Sequence, residues 1–189
     1  HIRSRRQRQM CIRDRKKSQD AGGVNFDEVR YEGFGPGGTG FIIETLTDNK
    51  NRTAGDIRSI FTKCGGNLAE TGSVSLLFSK IGLIEFDRSK SSEDEIIELS
   101  IDQGAEDCDI SDDSYEIYCQ PSDLHSLGEK LEEKFGDANL MKIIWKPENN
   151  IVIDQDTFTK IDRLIELLDD NDDVQDIYFN FDIPDDFIS

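Results

Sequence analysis

A change of hydrophobic period between residues 39 and 64 constrains this chain more than any other feature. "TGFIIETLTD", Thr39 to Asp48, is dense in β-branched and aromatic residues, the composition of a strand with at least one buried face. Beyond it, Ile57, Ile60, Phe61 and Cys64 fall at i, i+3, i+4 and i+7, along one side of a helix. Thr53 followed by Asp56 reads as a variant capping box at the helix start, and Gly65-Gly66 as its stop. Each element has an apolar side to bury, which a fold that lays helices against a sheet can satisfy.

The alternation continues to the C-terminus. "GGVNFDEVRYEGFGPGG" reads as a loop leading into an extended segment, and "GSVSLLFSK" with "IGLIEFD" as two closely joined strands. After the polar bridge "RSKSSED" comes a short helix, "EDEIIELSIDQG", with Ile97 and Ile101 four apart and Gly104 at its end. "EDCDISDD" and "SYEIYCQ" read as a hairpin; Pro121 suits a helix start, with Leu124, Leu127, Leu131 and Phe135 as the buried face. "NLMKIIWKP" is a strand with Trp145 in the core, and "NNIVI" extends or re-pairs it. Asp154 caps a helix bearing Phe158, Ile161, Ile165 and Leu168, "DDNDD" is its solvated end, and "QDIYFNFDI" is a final strand.

Taking the first four elements with the last two predicts an α+β fold, a split ferredoxin-like β-α-β-β-α-β sandwich with a second small α/β domain inserted. The expected boundaries are residues 16–90 with 154–189 for the sandwich and 91–153 for the insertion. Residues 1–15 stand apart as a basic segment without apolar periodicity. They read either as a disordered basic arm or as a non-native extension resembling translated sequencing-adapter sequence joined to a truncated coding region.

Charge narrows the partners. The net charge is −18, yet residues 1–17 hold eight basic residues and one acid, leaving 14 basic and 39 acidic residues in the other 172. Such a body repels nucleic acid over most of its surface, so any contact must be local. No apolar run approaches the ~18 residues of a membrane span, and no secretory signal is visible, so a cytoplasmic protein without membrane association is expected. Cys11, Cys64, Cys108 and Cys119 form no C-x-x-C pair, and His1 and His125 alone could join them. Neither a metal site nor a cofactor is expected, and scattered thiols suit a reducing compartment.

Gly33-Phe34-Gly35-Pro36-Gly37-Gly38 satisfies G-x-G-x-x-G. A dinucleotide site needs that loop after a strand and directly before a helix, whose N-terminus binds the pyrophosphate. Here a strand follows, and Pro36 removes a backbone donor. A turn is the expected reading, with a nucleotide-binding enzyme using the Gly33–Gly38 loop as the alternative.

"YEGFGPGG…TDNKNRTAGDIRSIFTKCGGNLAETGSVSLLFSKIG" closely resembles the signature region of the YebC/PmpR family, which includes the mitochondrial translational activator of cytochrome c oxidase subunit I. "DDVQDIYFNFDIPDD" resembles the same family's last strand and tail, and the resemblance spans about residues 16–189. It implies a three-domain protein without a known catalytic reaction. Family members are described as DNA-binding transcriptional regulators and as ribosome-associated factors assisting translation, including through proline-rich stretches. The family begins with a basic helical domain, most of which is replaced here by the odd basic segment.

Lys50, Arg52, Arg58 and Lys63 cluster in and around one expected helix of this acidic chain. Phosphate contact is the functional reading, with Thr53 and the helix N-terminal amides as further donors; a solvated face balanced by Asp48 and Asp56 is the structural one. Tyr31 and Phe34 could stack on a base or proline ring or pack locally. The resulting expectation is a non-enzymatic regulator of gene expression. It would bind DNA, or ribosomal RNA on the ribosome, through Lys50, Arg52, Thr53, Arg58, Lys63, Tyr31 and Phe34. The acidic insertion would meet protein.

Overall fold

The computed structural model describes residues 25–182; the basic segment 1–15, with Cys11 and His1, lies outside them, as does the end of the C-terminal motif. Chain order is β1 (Asp27–Phe34), β2 (Gly40–Thr47), α1 (Lys50–Lys63), β3 (Asn67–Leu68), β4 (Phe78–Asp87), α2 (Glu93–Asp102), β5 (Asp107–Ile110), β6 (Ser114–Cys119), α3 (Leu124–Phe135), β7 (Leu140–Pro147), β8 (Ile151–Val152), α4 (Gln155–Asp169), β9 (Val174–Phe179) and β10 (Phe181–Asp182). This is the mixed α+β class, its strands paired mainly antiparallel, with a short parallel pairing of β8 and β10. The described residues gather into two units, 25–78 with 147–182, and Ser79–Lys146.

In the first unit a four-stranded sheet runs β3-β1-β2-β9. The β1–β2 hairpin is in register from Asp27 opposite Thr47 to Phe34 opposite Gly40, and β9 joins the far side of β2. Because side chains alternate along a strand, Phe41 and Ile43 of β2 and Ile177 of β9 share one face. Ile57 and Phe61 of α1 and Ile161, Leu164 and Leu168 of α4 pack against them as one core. Phe41 and Phe61 meet edge-on at 5.8 Å, a favoured aromatic geometry. Gly33 leaves room for Phe61: a Cβ there would lie 2.7 Å from the ring. The helix therefore seats directly on β1.

The segment expected as a first strand, "GSVSLLFSK", begins instead as a turn and a 3-10 helix, Ser75–Leu77, before β4. The cause is Glu32. Its buried carboxylate accepts the amides of Val74 (2.8 Å) and Ser75 (2.9 Å), and backbone groups held this way cannot join a ladder. The following residues form one strand, and Gly82 within it sits where a Cβ would strike Cys119 Sγ at 2.8 Å.

In the second unit β5-β6-β4-β7 form the sheet, so β4 pairs there, although the polar bridge after it suggested a later boundary. Leu124, Leu127, Leu131 and Phe135 of α3 are buried against Ile84, Phe86, Tyr115 and Ile117, as the apolar spacing predicts. Two details differ. The buried side of α2 carries Ile96 and Ser100, leaving Ile101 56% exposed. Trp145 is only half-buried, with Lys80 Nζ 4.8 Å from its ring centroid, a cation–π pair. No described helix is long and apolar enough to cross a membrane.

Candidate nucleic-acid interface

Helix α1 starts one turn before the expected cap. Asn49 is the N-cap and accepts the Arg52 amide at 3.1 Å, the ordinary work of an Asn in that position. Thr53 lies inside the helix, fully buried, and donates to Asp173 Oδ2 at 2.8 Å. Thr47, at the end of β2, donates to the same oxygen at 3.1 Å while accepting the Asn49 amide at 2.9 Å. Arg52 completes the group, its Nη2 lying 2.9 Å from Asp173 and 2.7 Å from Asp48. Burial works to raise the pKa of Asp173. The hydrogen bonds from Arg52, Thr53 and Thr47, with the Arg52 charge, outweigh it and hold the carboxyl below its usual range.

Asp173 is the residue that the sequence reading missed. It belongs to the "DDNDD" run, expected to be a solvated helix end; α4 does end there, but Asp173 is only 6% exposed and ties β2 and α1 to the approach of β9. Nothing in an acidic run marks the one member that turns inward.

The N-terminal half of α1 is thus electrostatically answered. Lys50 Nζ pairs with Asp27 at 3.4 Å between two exposed side chains, and its carbonyl accepts the Tyr31 hydroxyl at 3.1 Å. Burial first, then the charge of Asp173, raises the Tyr31 phenol pKa. Arg52 stands in a cleft lined by Asp48, Asp56, Asp172 and Asp173, which repels an incoming phosphate. Phe34 is half-buried at the end of β1, opposite Gly40 and Asn67.

The C-terminal half differs. Arg58 and Lys63 are exposed, and neither forms an ion pair among the described residues. Arg58 lines a cleft of about 450 Å³ between α1, the edge of β1 and the β3 segment. Ala54, Arg58 and Thr62, four residues apart on one helix side, form one wall; Arg30, Tyr31 and Glu32 form the floor, and Asn67 to Thr71 the other wall. Glu32 is 2% exposed. Burial favours its protonation, but amide hydrogen bonds from Gly72, Ser75 and Val74 and the charge of Arg30 hold its pKa below the usual value. Arg30 Nε lies 3.4 Å from Glu32, so these two charges answer each other at the base of the cleft.

The glycine loop lies elsewhere, against the first turn of α4, where a Cβ on Gly37 would approach Thr157 Cγ2 at 2.8 Å. Gly37 and Gly38 have φ of 72° and 76°, as a tight turn requires. Gly35 N–H bonds Thr39 O and Gly38 N–H bonds Gly35 O inside the turn. The neighbouring helix end is capped by Asp154, which accepts the Thr157 amide at 2.8 Å, with Asp156 beside it. Donors already bonded and two carboxylates make a poor phosphate cradle. Among the described residues no three His, Cys, Asp or Glu side chains are grouped as metal ligands. Cys64 and Cys119 are buried, and burial pushes Cys108 up to about 11, far from a reactive thiolate.

Residues 26–181 match the family model described as TACO1/YebC second and third domain. The fold is similar to the crystal structure of a conserved hypothetical protein from Aquifex aeolicus, with 39% sequence identity and a TM-score of 0.82, over 92% of this chain and 72% of that one. The chain belongs to the TACO1/YebC family, a family of regulator type.

Proposed function

We propose that this chain is a non-enzymatic regulator of gene expression that docks on the structured RNA of the ribosome in the cytoplasm, through the C-terminal half of α1. The observation that carries this reading is the pair of uncommitted cations, Arg58 and Lys63, on a chain of net charge −18. Strong duplex binding draws on several phosphate contacts, and the carboxylates around Arg52 oppose them along the first half of the helix. A large docked partner needs only local complementarity. The segment Ser79–Lys146, with 18 acidic and seven basic residues, suits contacts with protein. No cofactor enters this reading. Duplex DNA is the second reading, favoured by the regulator-type family match.

Co-sedimentation of the full chain with ribosomes, beside titration of duplex DNA at physiological salt, tests the proposal. A version lacking residues 1–15 controls for the basic segment. Ribosome association weakened at least ~10-fold by Arg58→Glu/Lys63→Glu is the expected result. Binding to duplex DNA alone selects the second reading, and ribosome association indifferent to the double substitution overturns the proposed face.

A further inference from the structure

We infer that the cleft between α1 and the β1–β3 edge seats one phosphodiester unit of a single nucleic-acid strand, an inference that rests on the function proposed above. A volume of about 450 Å³ falls within the roughly 300–1,000 Å³ of small-ligand sites, the scale of a nucleotide rather than a duplex. Its charge is asymmetric in a useful way. Arg30 and Glu32 answer each other at the base, so the attraction is local to Arg58 on the helix wall, with Glu70 on the wall across from it. A guanidinium offers a planar fork that matches phosphate oxygens. Across from it, the Asn67 amide uses one hydrogen on Leu68 O at 3.3 Å and has a second to offer. Ala54 and Leu68 supply apolar surface for a sugar, and Ala54 is small enough to leave the wall open. Glu70 on the far wall opposes a second phosphate, which limits the seat to one. Because these groups address backbone rather than base edges, the site is indifferent to sequence.

Fluorescence anisotropy of the full chain with labelled oligo-U, oligo-dT and a duplex of matched length tests this. Single strands should bind at least ~10-fold more tightly than the duplex, with a shallow salt slope near 0.7 per phosphate. Oligo-U binding without oligo-dT binding assigns RNA as the source; binding of both leaves the phosphodiester chemistry shared. Arg58→Gln should weaken the single strands about 10-fold, and Ala54→Trp, which fills the cleft without changing charge, should do the same. Thr71→Arg, at an exposed position of the far wall, should tighten binding and does not depend on Ala54→Trp folding. A folded Ala54→Trp with unchanged affinity, no gain in Thr71→Arg, or equal duplex binding overturns the cleft. If Arg58→Glu/Lys63→Glu still abolishes ribosome association in that case, the proposed function survives; if it does not, both fail.

Discussion

The two halves of α1 carry the same kinds of residue and meet opposite fates. In the first turn, Lys50 is answered by Asp27 and Arg52 by Asp48 and Asp173. Two turns later Arg58, and then Lys63 in the last turn, face solvent without a carboxylate partner among the described residues. The availability of a basic side chain is therefore not a property of the helix sequence. It depends on whether a carboxylate arrives from elsewhere, and Asp173 arrives from 121 residues away. The first half serves as an anchor, and the second half is left with charge that no carboxylate answers among the described residues.

Removing Asp173 is the strongest way to break this comparison. Asp173→Ala leaves the buried hydroxyls of Thr47 and Thr53 without their shared acceptor and Arg52 with only Asp48. Thr53 can still turn to Asn49 O at 3.1 Å and Thr47 to Thr53 Oγ1 at 2.8 Å. The loss is therefore chiefly that of the charge-assisted bonds, about 2–3 kcal/mol. Arg58→Ala should stay within about 0.5 kcal/mol. Urea denaturation followed by circular dichroism compares them, and equal losses would mean that Arg58 has a structural role.

Local signals were the legible part of the fold. The stop of α1 at Gly65-Gly66, the four-residue stripe on α3 and the Asp154 cap of α4 are set within a few residues, and each is present. What sequence left hidden depends on distant partners. Thr53 spells a cap, yet its hydroxyl is drawn inward by Asp173, and Asn49 takes the cap instead. "GSVSLLFSK" has the composition of a strand, but Glu32 holds its amides. The basic cluster itself was visible; its division into anchored and uncommitted halves was not, because Asp27 and Asp173 have no spacing relation to it.

A pH titration sharpens the same contrast. Asp173 and Glu32 are both held below their ordinary pKa values. Their contributions are fully present above the unfolded values, about 3.9 for Asp and 4.3 for Glu, and fade as pH falls through the lower folded values. Stability should therefore drop on the acid side, below about pH 4–5. Asp173→Asn should be destabilised at neutral pH and converge on the wild type as the pH falls. A gap that stays constant from pH 6 to pH 3 would assign the effect of Asp173 to shape rather than charge.

The smallest expected effect lies within the free half and separates its two cations. Lys63 sits in the last turn, where a positive charge meets the negative end of the helix dipole. Arg58 lies before that turn and has no such role. Lys63→Gln should therefore lower stability by about 0.5 kcal/mol or less, and raising the salt should shrink the loss. Arg58→Gln should leave the denaturation midpoint unchanged while weakening the single-strand complex. The two residues would then differ within the free half: Lys63 meets the end of the helix, and Arg58 is left wholly for a ligand. The reverse pattern, with Arg58→Gln destabilising and Lys63→Gln silent, would move Arg58 into the anchor and leave Lys63 as the outward contact.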